Sequence, residues 1–236
     1  MIVFWRLLFG HFLADFTLQS NFINRWKRSS RWGMLVHCSM HPLCYAVLTF
    51  GYLGRTWIEW GPLKLEGWAC LVVIFLAHWL EDEWRVFTIF RYHTPDNTLY
   101  FIWDQIIHYV VIALMIPLGT VSAGGGFMPE KWPVLGCLAV LTTHAATVFI
   151  YFVEKDVYGA VFPSGREKYL GMSERLGVAL SIFALSPVAA AGAALAWTGA
   201  AGYARKKGWL DVSLLNLALG TVIAVSCGAA ARLVFR

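Results

Sequence analysis

Long apolar runs separated by short polar segments dominate the chain. Seven runs can be drawn, at about 1–22, 34–54, 67–90, 99–122, 133–154, 175–200 and 212–233. Each approaches the roughly 20 predominantly apolar residues a helix needs to cross the hydrocarbon core. The pieces between them carry turn signals: RSSRWG at 28–33, RYHTPDN at 91–97, GGGFMPEK at 124–131 and FPSGREK at 162–168. The pattern predicts an all-α, polytopic membrane bundle of six to seven transmembrane helices. Its longest connection, 155–174, leaves no room for a soluble domain. Residues 1–236 therefore read as one transmembrane domain, with a four-helix half at 1–122 and scaffold helices at 133–236. The first ten residues, MIVFWRLLFG, lack a basic start before an apolar core, so they read as a first helix rather than a cleaved signal.

Composition supports this. The chain is 58% hydrophobic and only 14% charged, with a mean hydropathy of +0.60, whereas soluble domains carry about 25% charged residues. Tryptophans near run ends (Trp57, Trp60, Trp68, Trp132 and Trp209) fit interfacial aromatic belts. The net charge of +5 comes from Lys and Arg between the runs, which suits topology control and anionic headgroups and points away from nucleic acid. With the N-terminus outside, Arg25, Lys27, Arg28, Arg31, Arg85, Arg91, Lys155, Arg166, Lys168, Arg175, Arg232 and Arg236 fall on the inner side. The fewer Arg6, Arg55, Lys64, Lys131, Arg205, Lys206 and Lys207 fall outside, so the rule favours N-out, C-in. The five cysteines stand one by one in apolar runs and read as small hydrophobes.

Against that background, four polar pairs stand out. The first run carries His11 and Asp15, the second His37 and His41, the third His78 and Asp82, the fourth Asp104 and His108. Each pair is spaced i, i+4, about 40° apart around a helix, so both side chains share one face. The pairs lie late in runs 1 and 3 and early in runs 2 and 4. Alternating helices therefore bring all eight to one depth, the inner half of the bilayer. Eight titratable groups are costly in hydrocarbon, and a divalent cation removes that cost. The imidazole and carboxylate set suits Zn, Mn or Fe, and eight ligands suffice for two ions with positions left open to activate water. Asp82, Asp104, Gln105 and Glu81 are the candidate catalytic groups, and Gln19, Lys27, Arg85 and Arg175 the candidate substrate contacts. The bland alternative is an interhelical hydrogen-bond network that holds the bundle together.

The blocks HFLADFTLQ, LVHCSMH, HWLED and DQIIH, with the later GMSER, resemble a family of small bacterial inner-membrane proteins catalogued only as a domain of unknown function. The resemblance covers roughly the first 110 residues and then 171–175. It implies a multi-pass bacterial inner-membrane protein and one functional set: His11, Asp15, Gln19, His37, His41, His78, Asp82, Asp104, Gln105, His108, Glu174 and Arg175. Arg85 departs from the lysine expected there, and the two are not interchangeable at a bidentate site. The family brings no reaction with it.

Four functions compete. An intramembrane metal-dependent hydrolase would act on a lipid or lipid-linked substrate from the cytoplasmic leaflet. A divalent metal-ion transporter would need polar stepping stones through the outer halves of the first four runs, which are almost wholly apolar. A di-iron oxygenase would need paired adjacent histidines, which are absent. An accessory subunit of a larger membrane complex, or a homo-oligomer, would use the Trp-rich and Ala/Gly-rich surface as its interface and the polar cluster as structure.

Overall fold

The computed structural model describes residues 1–117, 127–209 and 213–235. Most of them are helical, as the apolar runs predict. Arg31–Tyr52, Lys131–Tyr158 and Leu214–Phe235 are long and apolar enough to cross a membrane, and Thr98–Leu114 is a shorter apolar helix. These mark a membrane protein. Its contacts divide into two units, Met1–Pro133 and Val134–Arg236.

In the first unit, α1 (Ile2–Phe12) passes into a π-helical turn at Leu13–Leu18. The helix stops there, short of the predicted end at 22. Gln19 leaves helical space, and Ser20 accepts a hydrogen bond from the Ile23 N–H to open α2 (Asn21–Ser29). This helix was missed because NFINRWKRS is too polar to cross a membrane, yet it is amphipathic and well capped. Ser30 then caps α3 (Arg31–Thr49) through the Trp32 N–H. The corner is tight. A Cβ on Gly33 would stand 2.4 Å from the Trp26 carbonyl, so only glycine lets α2 fold back on α3.

Between α3 and α4 (Gly67–Tyr92) lies a hairpin that the all-α reading did not include. It pairs β1 (Thr56–Trp60) with β2 (Leu63–Glu66), antiparallel, around Gly61 and Pro62. Trp60 at its tip is exposed, but Trp57 does not join an aromatic belt. It is buried with Leu53, Leu71 and Ile74 and donates to the Tyr52 carbonyl at 2.9 Å. α5 spans Thr98–Leu114 and is capped by Asn97. The rest of the predicted fourth run, from 118, and the GGG of the next turn lie outside the described residues. After them, Glu130 closes the unit with a bidentate pair to Arg6 at 2.7 Å.

The second unit follows a helix that starts as α6 (Lys131–Val140), widens into a π-helical turn at Leu141–Ala145 and continues as α7 (Ala146–Tyr158). The predicted span at 175–200 is not one helix. α8 (Gly165–Ala184) ends within it, and α9 (Pro187–Lys206) begins after a break at Leu185 and Ser186. Pro187 has no N–H to continue α8, but suits the first turn of a new helix that Ser186 caps. GMSER consequently sits inside α8. Ser173 is not its N-cap; it bonds back to the Tyr169 carbonyl, and Ser164 with Glu167 forms the capping box. α10 (Leu214–Phe235) runs parallel to α8, with Arg175 beside Gly220 and Arg232 bonded to the Ile182 and Leu185 carbonyls. α8 and α9 pack antiparallel through Gly177 and Trp197.

Candidate metal centre

In the first unit, α1 with its π-helical turn, α3, α4 and α5 each bring an i, i+4 pair to one cluster. The π-helical turn after α1 keeps Asp15 beside His11, with Oδ2 3.3 Å from His11 Nε2. The other oxygen of Asp15 lies 3.2 Å from His41 Nε2 and 3.4 Å from His37 Nε2, both on α3. His37 Nε2 is also 3.1 Å from Asp82 Oδ2 on α4. His78 stacks between its neighbours, with ring centroids 3.8 Å from His41 and 4.1 Å from His108. His108 on α5 approaches Glu81 at 3.2 Å and Asp104 at 3.9 Å. The structure thus brings together all eight residues of the four pairs.

Gln105 ties the cluster across helices. Its amide nitrogen donates to Asp15 at 3.1 Å and to Asp104 at 3.2 Å, while its oxygen faces His11 Nε2 at 3.2 Å and accepts from the Tyr109 hydroxyl at 3.1 Å. The five histidines are 0–3% exposed and Asp15 is 8% exposed. Such groups cost several kcal/mol each when buried without compensation.

The remaining expected contacts divide. Lys27 reaches in from α2, its ammonium 3.2 Å from both Asp82 Oδ2 and His37 Nε2. Burial works against that charge, yet Asp82, then Asp15 and Asp104, outweigh it and hold the ammonium above the usual lysine range. Gln19 stands at the break before α2 with its side-chain oxygen buried and unpartnered. Arg85 turns to the loop before α5. It donates to the Pro95 carbonyl at 2.9 Å, lies 3.5 Å from Asp96 and covers the Tyr100 ring. Arg175 belongs to the second unit, where it bonds the Thr142 and Thr143 carbonyls and the Thr147 hydroxyl. Sequence reasoning missed Cys38, whose sulfur lies 4.0 Å from Asp82. Its spacing from His41 gave the signal, since i and i+3 share a face.

The donor atoms form overlapping groups in which every member lies within 4.8 Å of the others. One joins Asp15, His37, His41 and His78; another joins Glu81, Asp82, Asp104 and His108. Ligands bound at about 2.1 Å around one tetrahedral ion stand about 3.4 Å apart, so either group can close on a cation. The decisive detail is alignment. Nε2 of His41, His78 and His108 is buried without a hydrogen bond, although His41 and His108 lie 3.2 Å from carboxylate oxygens. A hydrogen-bond network would satisfy those nitrogens. Ring nitrogens that converge on carboxylates in this way could hold a metal ion.

The profile of a family described as protein of unknown function (DUF3307) matches residues 3–125. The chain belongs to this family. The matched segment holds every residue of the cluster, whereas Glu174 and Arg175 fall beyond it. No curated protein and no solved structure matches the chain.

Proposed function

We propose that the cluster is a divalent metal centre, for Zn, Mn or Fe and with room for two ions, serving hydrolysis of a lipid or lipid-linked substrate from the cytoplasmic leaflet of a bacterial inner membrane. The observation that carries this reading is the set of buried, unpaired Nε2 atoms facing carboxylates. His11, Asp15, His37, His41, His78, Asp82, Asp104 and His108 would hold the metal, which when bound supplies an activated water and polarises the scissile group. Glu81 and Asp104, the less buried carboxylates of the cluster, can accept the proton that water loses. Gln105 fixes the orientation of both Asp15 and Asp104. Lys27 and Gln19, at the junction with α2, stand where a headgroup phosphate would enter. The hydrolytic step needs only one opening, which suits a site whose outer flanks are apolar.

The positive-inside rule supports N-out for this arrangement, but the helix break changes the far end. Lys168, Arg205 and Lys206 line one groove, so the bases near the start of α8 and the end of α9 belong to one side. With that side cytoplasmic, α10 leads outward and the C-terminal end faces the periplasm. A C-terminal reporter tests this.

Metal analysis of detergent-purified protein by plasma mass spectrometry tests the centre itself. We expect stoichiometric metal; none would favour the accessory-subunit reading, with the cluster as an interhelical network. Single cysteines separate enzyme from transporter. Those at Leu48, Val72 and Ala113 should resist a water-soluble thiol reagent from the periplasm, while one at Asn24 labels from the cytoplasm. Labelling at Leu48 and Ala113 that responds to metal would promote the transporter.

A further inference from the structure

The second unit buries a cation whose hydrogen bonds all go to neutral acceptors. Arg175 is 3% exposed. Its Nε donates to the Thr142 carbonyl at 2.9 Å, and Nη2 donates to the Thr143 carbonyl at 3.1 Å and to the Thr147 hydroxyl at 2.6 Å. Neutral acceptors satisfy those hydrogens but leave the charge in place, and a buried charge is costly unless it is paired. Among the described residues no carboxylate bonds to Arg175. Nη1 is left over. It faces Gly171 and Gly220, where a Cβ would stand 3.2 and 3.9 Å away.

Arg175 helps line a groove of about 1360 Å³ where the end of α7, the start of α8, the end of α9 and the start of α10 meet. Lys168 and Lys206 stand on the same lining. The acids there are engaged elsewhere. Glu154 accepts from the Ser213 hydroxyl at 2.5 Å and the Asn216 amide at 2.9 Å, and Glu167 closes the capping box with Ser164. Both carboxylates on the lining are therefore already bonded, and the groove presents its cations. Tyr151 and Phe162, packed edge to face at 5.0 Å, add an aromatic wall.

We propose that this groove binds a phosphate-class oxyanion, seated on Nη1 of Arg175 and flanked by Lys168 and Lys206. Guanidinium suits an oxyanion because its fork of N–H donors matches tetrahedral oxygens and its charge persists when buried. The anion would take the Nη1 donor that no protein acceptor uses, beside the adjacent Glu174. Its source is an anionic lipid headgroup or free phosphate. Its lining shares no residue with the metal cluster and lies beyond the segment that the family covers.

Thermal unfolding and native mass spectrometry of the full chain in neutral detergent test this, with added phosphatidylglycerol, zwitterionic phosphatidylcholine or inorganic phosphate. Stabilisation and retention with phosphatidylglycerol over phosphatidylcholine would assign a lipid, and stabilisation by inorganic phosphate alone would assign the free ion. The double variant Lys168→Gln, Lys206→Gln keeps the Arg175 bonds and should weaken binding about thirtyfold, as expected when two lysines leave an anionic headgroup. No response to phosphatidylglycerol beyond that to phosphatidylcholine, with none to phosphate, overturns the proposal. So does unchanged affinity in the double variant.

Discussion

Each unit interrupts an apolar helix with a π-helical turn, and the two turns serve opposite charges. The turn at Leu13–Leu18 carries an acid, Asp15, into a crowd of imidazoles from α1 and α3. The turn at Leu141–Ala145 carries no acid; it offers the backbone oxygens of Thr142 and Thr143 to a lone arginine. A widened turn disturbs the regular helical ladder and is frequent at functional sites. In the first unit it serves convergence of many donors, and in the second it supplies neutral acceptors to a buried cation. Packing follows the same division. The interior of the first unit is polar around the cluster and apolar above it, from Val3 and Leu7 to Tyr45 and Ile112. The second is held by close contact of small residues, with a Cβ on Gly228 only 2.5 Å from the Ala179 carbonyl oxygen.

The sharpest way to break the comparison is to remove one charge from each unit. Asp15→Asn keeps the shape but lowers the charge that three histidines face, and metal content should fall by more than about 100-fold, beyond the 10–100-fold typical of outer contacts. Plasma mass spectrometry reads it, and the bundle should stay folded, because the amide keeps the shape and an oxygen to accept from Gln105. Arg175→Met should do the reverse. It breaks three hydrogen bonds from a buried cation, so the second unit should lose about 2–4 kcal/mol, while metal content stays at the wild-type level. If Arg175→Met emptied the metal centre, the two units would not be functionally separate.

The helices and the four pairs were legible because both rest on short-range rules. Run length reports a crossing helix, and a spacing of four reports a shared face whatever the helix packs against. What escaped depended on chain reversal. NFINRWKRS reads as a connection until Gly33 lets it fold back and carry Lys27 to Asp82. ALSPVAAAG looks continuously apolar, yet Ser186 and Pro187 are a cap and a first turn, and the break reverses the chain. TWIEW and LKLE are too short to outweigh the helical context, although Gly61, at positive φ, marks the turn between them. Arg85 shares a face with His78 and Asp82 by spacing, but its long side chain finds the Pro95 carbonyl first.

A milder disturbance acts on the α2–α3 corner alone. Gly33→Val forces side-chain carbons into the Trp26 carbonyl, which lies too close to yield without moving α2. A cost of about 1–3 kcal/mol is expected, as for overpacking elsewhere. Thermal unfolding would show it, and an Asn24 cysteine should then label faster. Unchanged stability would mean that α2 already stands off from α3.

The smallest expected effect is the most informative about cations. Lys27 and Arg175 are the two units' inward-reaching cations, but Lys27 bonds to an acid and Arg175 bonds only to neutral acceptors. The Lys27 ammonium lies 3.2 Å from Asp82 Oδ2 and from His37 Nε2, atoms that a metal would also use. A neutral imidazole nitrogen has one lone pair, so His37 Nε2 cannot accept from Lys27 and bind a metal at once. Lys27 therefore competes with a metal at this edge. Lys27→Met removes the competitor and a like charge about 4 Å from the incoming divalent ion, which at an effective dielectric of 20 would be worth up to about 8 kcal/mol before screening. Solvent at the α2 edge and the lost hydrogen bonds reduce this, so metal affinity should rise about tenfold, or about 1.4 kcal/mol. Competition titration with a chelator measures it. Hydrolysis of a phosphate-bearing lipid should fall in the same variant, because the entry loses its ammonium. An affinity that drops instead would show that Lys27 props Asp82 and His37 in position rather than competing for them.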